Sequence, residues 1–288
     1  MIDAPSFDAI ERATGLTLDG TDCHAIGGGC INDAVRVATA SGPVFVKFNR
    51  ADRLDMFVAE ADGLAALRDA DVRAPRVLGY GSDAGTAFLV LEWFEMGAPA
   101  DPLAAAQQVL RLHACAGEFF GWTRDNYIGS TPQDNTPNQS WSRFFIEARL
   151  RPQLELAGDD AELYGAGMKL LERAGPMLDD SEITPVLLHG DLWGGNWAMT
   201  ADGACLFDPA VHYGDREADI AMTELFGGFG PDFYRAYREV HPEREGNAGR
   251  RRLYKLYHVL NHFNLFGGGY RRQARQLIDH LLSPHDSP

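Results

Sequence analysis

Residues 189–208 constrain this chain more than any other stretch. They read His189-Gly190-Asp191-Leu192-Trp193-Gly194-Gly195-Asn196, then Trp197-Ala198-Met199, a turn at Ala201-Asp202-Gly203, and Ala204-Cys205-Leu206-Phe207-Asp208. A carboxylate followed five positions later by an amide lets one loop meet an acceptor hydroxyl with the first group and hold a metal ion with the second. The two short runs around a glycine turn predict a hairpin that delivers Asp208 as a further metal-binding carboxylate. Hard oxygen ligands suit Mg²⁺, which keeps several waters and is shared with substrate phosphates. Asp and Asn are also common turn formers. Three of them in this order and spacing point instead to phosphoryl transfer, with Asp191 as the catalytic group, Asn196 and Asp208 as metal ligands on one side of the hairpin, and His189 supporting the loop.

With 288 residues, 45% of them hydrophobic, the chain can bury a sizeable core in one large domain or two lobes. Its formal charge of −15 argues against a nucleic-acid partner, which needs a basic surface or patch. The densest basic cluster, Arg250-Arg251-Arg252 with Lys255, is followed by apolar residues at helical spacing and reads as a solvated helix face. The start, Met1-Ile2-Asp3-Ala4-Pro5-Ser6, lacks the basic residues and apolar run of a secretory signal, and no run of about eighteen apolar residues occurs. A soluble, cytoplasmic protein without a membrane partner is expected. Cys23, Cys30, Cys115 and Cys205 form no CxxC pair and read as reduced thiols.

Earlier in the chain a short helix is expected near residues 5–14. Next come Ala25-Ile26-Gly27-Gly28-Gly29-Cys30-Ile31-Asn32, then alternating Ala34-Val35-Arg36-Val37-Ala38 and Val44-Phe45-Val46-Lys47-Phe48. This predicts strand, glycine-rich turn, strand, turn, strand. Gly27, Gly28 and Gly29 taken alone favour a plain hairpin turn over a backbone that approaches a polyphosphate with no Cβ in the way. Lys47 decides between them, because a lysine among Val and Phe is costly to bury without a partner. Phosphates are one partner, and Glu60, in the helix expected over residues 52–70, is the other. Two more strands, around residues 74–81 and 86–92, complete a five-stranded antiparallel sheet. Pattern is then lost at Met96-Gly97-Ala98-Pro99, an interlobe linker in which the backbones of Glu92 and Phe94 are candidates to meet adenine. The lobes expected are residues 1–94 and 95–288. Cys30, in the glycine turn, is a candidate for redox control of nucleotide binding.

In the second half, helices are expected over residues 103–116, 141–156, 161–177, 233–240, 251–266 and 271–282. Residues 119–133 have little periodicity and many aromatic and polar groups, as binding loops often do. Asp215, Glu217 and Asp219 suit the start of a helix, and Asp219 suits a brace for the catalytic loop as well. His113, His258 and His262 read as packing or hydrogen-bonding residues, since no Glu-based metal motif accompanies them.

The sequence resembles the fructosamine-3-kinase or ketosamine-3-kinase family, related to aminoglycoside phosphotransferases and choline kinases. The matching pieces span nearly the whole chain: residues 28–32, 45–47, 60–64, 120–122, 125–133, 189–196, 207–210, 214–219 and 260–270. The His-Gly-Asp…Asn…Asp set is common to all these small-molecule kinases, whereas Trp193 and the 125–133 and 261–270 blocks favour the ketosamine kinases. The resemblance implies an α+β, two-lobed, protein-kinase-like fold, with an antiparallel sheet plus helix in the N-lobe and a larger, mainly helical C-lobe. It implies an enzyme using ATP and Mg²⁺ to phosphorylate the 3-hydroxyl of a fructosamine or ribulosamine, in repair of glycated amines, the substrate being a small sugar-amine or a glycated protein lysine. Trp193, Trp122 and Asp125 become substrate-side candidates. Gly190 departs from the Arg that protein kinases carry before the catalytic Asp. A kinase of the aminoglycoside or choline type is the alternative. A binding-only pseudokinase is disfavoured, because Lys47, Asp191, Asn196 and Asp208 are all present. A monomer or homodimer is expected.

Overall fold

A computed structural model of the chain describes residues 6–27, 31–178 and 183–283. Two compact units result, Met1–Asp101 with Ala198–Pro209, and Pro102–Trp197 with Ala210–Pro288. The first therefore runs on past residue 94 and takes in most of the hairpin before Asp208.

In the first unit Ser6 caps α1 (Phe7–Thr14), its Oγ accepting from the Ala9 N–H, and Gly15 ends it at φ 71°. The strands β1 (Leu18–Ala25), β2 (Asp33–Thr39) and β3 (Val44–Arg50) precede α2 (Leu54–Asp69), and β4 (Val77–Asp83) and β5 (Thr86–Glu92) follow it. They form one antiparallel sheet in the order β1-β2-β3-β5-β4. The β-branched and aromatic runs explain the central pair: Val44, Val46, Phe48, Phe88 and Val90 are buried with Ala9 and Ile10 of α1 on one face. α2 buries Met56, Phe57, Leu64 and Leu67. The five-stranded sheet with its helix is the arrangement the alternation predicts.

The second unit opens with α3 (Pro102–His113). The stretch 119–133, expected to lack regular structure, contains a hairpin of β6 (Asn126–Ile128) and β7 (Thr131–Gln133). Strands of three residues are too short for alternation to show in a sequence. The single helix expected over 141–156 is interrupted: α4 (Trp141–Phe145) passes through a π-helical turn, Ile146–Leu150, into α5 (Arg151–Leu156). The extra residue turns Arg149 inward. Its guanidinium is 1% exposed and bonded to the Asp134 and Ala148 carbonyls at 2.7 and 3.0 Å. α6 (Ala161–Met177) and β8 (Val186–Leu188) lead to the hairpin of β9 (Trp197–Thr200) and β10 (Gly203–Leu206), and β11 (His212–Gly214) returns antiparallel to β8. The chain closes with α7 (Arg216–Phe226), α8 (Pro231–Val240), α9 (Asn247–Phe266) and α10 (Tyr270–Leu282).

An aromatic core forms around Trp141, with Phe120, Phe144, Phe145 and Tyr254 against it. Tyr254 accepts from the indole N–H at 2.9 Å and donates to Asp215 at 2.6 Å, tying α9 to the N-cap of α7. The basic cluster on α9, expected to be solvated, is instead paired with acids of α7. Arg250 is buried against Glu217 at 2.8 Å, and Arg251 and Lys255 both reach Glu224 at 2.8 Å. Amphipathic spacing places charges on a polar face, but it does not reveal that another helix lies there. Among the described residues no helix is long and apolar enough to cross a membrane.

His212 and His258 are buried on β11 and α9, and burial pushes each imidazole down to about 3, with Arg149 adding to the effect on His212 and His262 on His258. Both are neutral when folded, whereas the unfolded chain protonates them below about 6.5. Unfolding therefore takes up protons as pH falls from about 6.5 toward 3. Stability is fully present above that window and declines through it, each histidine adding a slope of up to about 1.4 kcal/mol per pH unit. Urea unfolding at pH 8, 6 and 5 should show this fall, and His258→Gln should flatten it. An unchanged midpoint between pH 8 and 5 would contradict neutral burial.

Candidate active site

The candidate side chains form two groups, one in each unit. In the first, β3 carries Lys47 into the interior at 8% exposure, where its Nζ meets Glu60 Oε1 of α2 at 2.7 Å and also Asp208. Burial alone lowers the Lys47 pKa, but the Asp208 and Glu60 carboxylates outweigh it and hold the ammonium above its ordinary value. Burial raises Glu60 above the usual carboxylate range; Lys47 pulls the other way and Asp208 adds to the rise. Lys47 moves upward because two carboxylates face its one ammonium, and Glu60 because burial outweighs the pull of that ammonium. Asp208 adopts φ 56°, a left-handed conformation rare for a residue with a side chain, and rarer still before a proline such as Pro209. Such outliers persist where the surroundings enforce them and cluster at functional sites. Its side chain stays 45% exposed, so a carboxylate oxygen is open to a cation.

At the glycine turn, Gly27 has open space where a Cβ would stand. Gly28, Gly29 and Cys30 lie outside the described residues. The far end of the turn is held by Asn49 of β3, whose Nδ2 donates to the Ile31 carbonyl at 3.0 Å and to Asn32 Oδ1 at 2.8 Å. Nothing in the sequence marks Asn49 for that task. The Glu92 N–H donates to the Arg76 carbonyl at 2.9 Å and is thereby taken, so of that residue's backbone only the carbonyl remains a candidate for adenine. The Phe94 ring lies 4.9 Å from the Arg73 guanidinium.

In the second unit the loop after β8 is built around Asp219 of α7. This carboxylate, 2% exposed, accepts the His189 N–H at 2.7 Å, the Gly190 N–H at 2.9 Å and His113 Nε2 at 3.2 Å. Burial acts to raise its pKa, but those hydrogen bonds and the nearby imidazoles prevail and hold it below the usual carboxylate range. Of the two roles open to Asp219, the structure shows the contacts of a brace. Behind it His113 Nδ1 meets the Tyr237 hydroxyl at 2.7 Å. Gly190 sits at φ 79°, and a Cβ there would lie 2.0 Å from the Ala210 carbonyl oxygen. That contact is why a bulky residue such as Arg is excluded before Asp191.

Asp191 is locked to Asn196, whose Nδ2 donates to the Asp191 carbonyl at 2.9 Å and to its Oδ2 at 3.1 Å. The five-residue spacing thus becomes a closed loop. With the amide N–H groups engaged, the Asn196 oxygen is the group left to face a cation. His189 supports from within, its Nδ1 accepting the Asp191 N–H at 3.3 Å. Trp193 is 38% exposed, and its ring fills the space a Cβ on Gly195 would need. It begins an aromatic row: Phe226 lies 6.0 Å from it, His262 4.6 Å from Phe226, and Tyr270 5.1 Å from His262. His262, read from the sequence as structural, belongs to this row. Elsewhere in the unit Trp122 packs on Tyr213 at 5.2 Å, and Asp125 accepts the Asn135 N–H at 2.9 Å, closing its own loop.

The donors that would bind a metal, a carboxylate and an amide oxygen, fit a hard cation sharing its shell with water and phosphate. Nitrogen or sulfur donors, which would favour a softer ion, are not part of the set. Residues 4–284 match the family described as fructosamine kinase. The chain belongs to the fructosamine kinase family. Within it, a Synechocystis protein named a ketoamine kinase is 43% identical, with 95% of this chain and 94% of that one covered. A rice protein named a chloroplastic protein-ribulosamine 3-kinase is 41% identical over 91% of this chain and 79% of its own. A Thermobifida fusca crystal structure described as that of a fructosamine-3-kinase superposes with a TM-score of 0.84 at 34% identity, covering 96% of this chain and 98% of that one. An aminoglycoside phosphotransferase solved with ADP and hygromycin B superposes at 0.65 with 14% identity, covering 96% and 99%. This last likeness extends to the protein-kinase-like fold alone, in agreement with the α+β architecture the family resemblance implies.

Asp219→Ala would leave the His189, Gly190 and His113 donors buried and unpaired. Unfolding free energy should fall by about 3–5 kcal/mol, while Asp232→Ala, at an exposed ion pair with Arg235, should change it by less than about 1 kcal/mol. Comparable losses for both in urea titrations would remove the brace from the account.

Proposed function

We propose that this fructosamine kinase family member is an ATP- and Mg²⁺-dependent kinase that phosphorylates the 3-hydroxyl of a ketosamine, a fructosamine or ribulosamine. The observation that carries this reading is the Asp191–Asn196 lock, which fixes a carboxylate and an amide oxygen in one short loop as phosphoryl transfer requires. Asp191 orients the acceptor hydroxyl and takes its proton as the O–P bond forms. Lys47, held by Glu60, lies against the nucleotide phosphates. Asn196 and Asp208 would hold Mg²⁺, which when bound neutralises charge on the phosphates. The chain's remaining task is positioning, because little covalent chemistry falls to the protein in such a transfer.

The substrate assignment rests on two further features. The exposed Trp193 face, continued by Phe226, His262 and Tyr270, suits the apolar C–H face of a sugar. The formal charge of −15 favours approach of a cationic amine. Relatives named for ketoamines and ribulosamines support the same class. The amine belongs to a free amino acid or to a glycated protein lysine.

ADP release should be observed with ribulosamine or fructosamine acceptors, and not with aminoglycosides or choline. In Asp191→Ala, turnover should drop by roughly 10²–10⁴ while the ATP dissociation constant, read by titration calorimetry, stays within about threefold. Retained turnover would displace Asp191 from its role, and preference for an aminoglycoside would displace the ketosamine.

A further inference from the structure

The relay behind Asp219 does not end in the protein interior. His113 passes from Asp219 to the Tyr237 hydroxyl, and Tyr237 forms part of the wall of a small surface pocket open in part to solvent, lined also by Arg216, Glu217, Arg238, His241, Glu243 and Arg251. In a protein of such negative charge this pocket gathers three arginines against two glutamates, Glu217 and Glu243. Arg238 shares Glu243 with Arg251, at 2.8 and 3.4 Å, and Arg251 also reaches Glu224. Glu217, which also lines the pocket, is already held by Arg244 and Arg250 at 3.0 and 2.8 Å. Among the described residues Arg216 has no hydrogen-bond or ion-pair partner. The half-buried His241 is pushed below its ordinary pKa by burial, then by Arg216 and His113, so it adds no charge of its own at neutral pH. A guanidinium at a pocket wall, beside two others whose carboxylates are shared, presents the planar fork of donors that oxyanions accept in pairs.

We propose that this pocket binds a phosphate-sized oxyanion through Arg216, with Arg238 and Arg251 beside it, and that its occupancy is transmitted to the turn at His189 and Gly190 through Tyr237, His113 and Asp219. The hydrogen-bond directions give the relay one consistent form. The Tyr237 hydroxyl, whose pKa burial raises, is protonated and donates to His113 Nδ1; Nε2–H then donates to Asp219, which accepts from the turn. An anion beside Arg216 offsets the positive field that this guanidinium exerts on the Tyr237 hydroxyl, so the restraint on the turn changes with occupancy. By linkage, nucleotide or substrate that alters the turn alters anion affinity equally. The binding half of the proposal stands independently; the coupling half rests on the reading of residues 189–196 as the catalytic loop.

Inorganic phosphate titrated by calorimetry into the full chain, held saturated with ADP and Mg²⁺ to occupy the nucleotide phosphate site, should bind saturably. Arg216→Gln should weaken it by at least about tenfold, with folding preserved because Arg216 makes no bond to lose. Arg235→Gln, which pairs with Asp232 away from the pocket, should not. Titration of ribose 5-phosphate distinguishes free phosphate from the phosphoryl end of a sugar, and loss of either ligand in Arg216→Gln supports the site. Absence of saturable binding, or equal binding by Arg216→Gln and wild type, overturns it, and neither outcome bears on the kinase reading because no turnover is measured. For the relay, saturating phosphate should change the wild-type kcat by at least about twofold, and Tyr237→Phe should keep phosphate binding but lose that response. An identical response in both proteins, or none in wild type despite binding, overturns the relay.

Discussion

One buried carboxylate sets the geometry of the loop that carries Asp191 and Asn196 in the second unit. Asp219 takes two consecutive backbone N–H groups and an imidazole N–H, and the three donors make a charge tolerable where water is absent. Accepting from His189 and Gly190 together forces the chain to turn there, and the turn brings it so close to Ala210 that only glycine fits. Asp191 therefore emerges at a fixed position, and Asn196 closes the loop onto it. A glutamate, one methylene longer, would not meet both N–H groups without moving α7.

The first unit solves a different electrostatic problem by a related means. Lys47 sits in a strand whose neighbours are apolar, and two carboxylates accompany its one ammonium. Glu60 is buried with the ammonium, while Asp208 reaches it from a side chain that remains 45% exposed and open to a cation. The strained backbone at Asp208 and the excess carboxylate are consistent with a site arranged for a ligand as well as for the stability of the empty protein.

Much of this was legible in the sequence, and the residues show where legibility ends. The Asp191–Asn196 spacing, the hairpin to Asp208 and the pairing of Lys47 with Glu60 follow from local pattern plus the cost of burying a charge. The braces do not. His113 and Asp219 lie 106 positions apart and His113 and Tyr237 124 apart, and each alone resembles an ordinary helix residue. Arg149 reads as one more charge on a helix until the π-helical turn directs it inward.

The sequence by itself determined the alternation of the sheet strands, most of the helical spans, the order of the candidate oxygen groups and, through matching blocks along the chain, the family. These depend on periodicity and spacing within one segment, which translate directly into local backbone geometry. Only the tertiary structure decided that Asp219 braces the loop, that the basic run of α9 is consumed by acids of α7, that His262 joins the aromatic row of Trp193, and that Arg216 is left facing a pocket. Each of those depends on which side chains from distant segments share a low-dielectric space, and a linear pattern carries no measure of that distance.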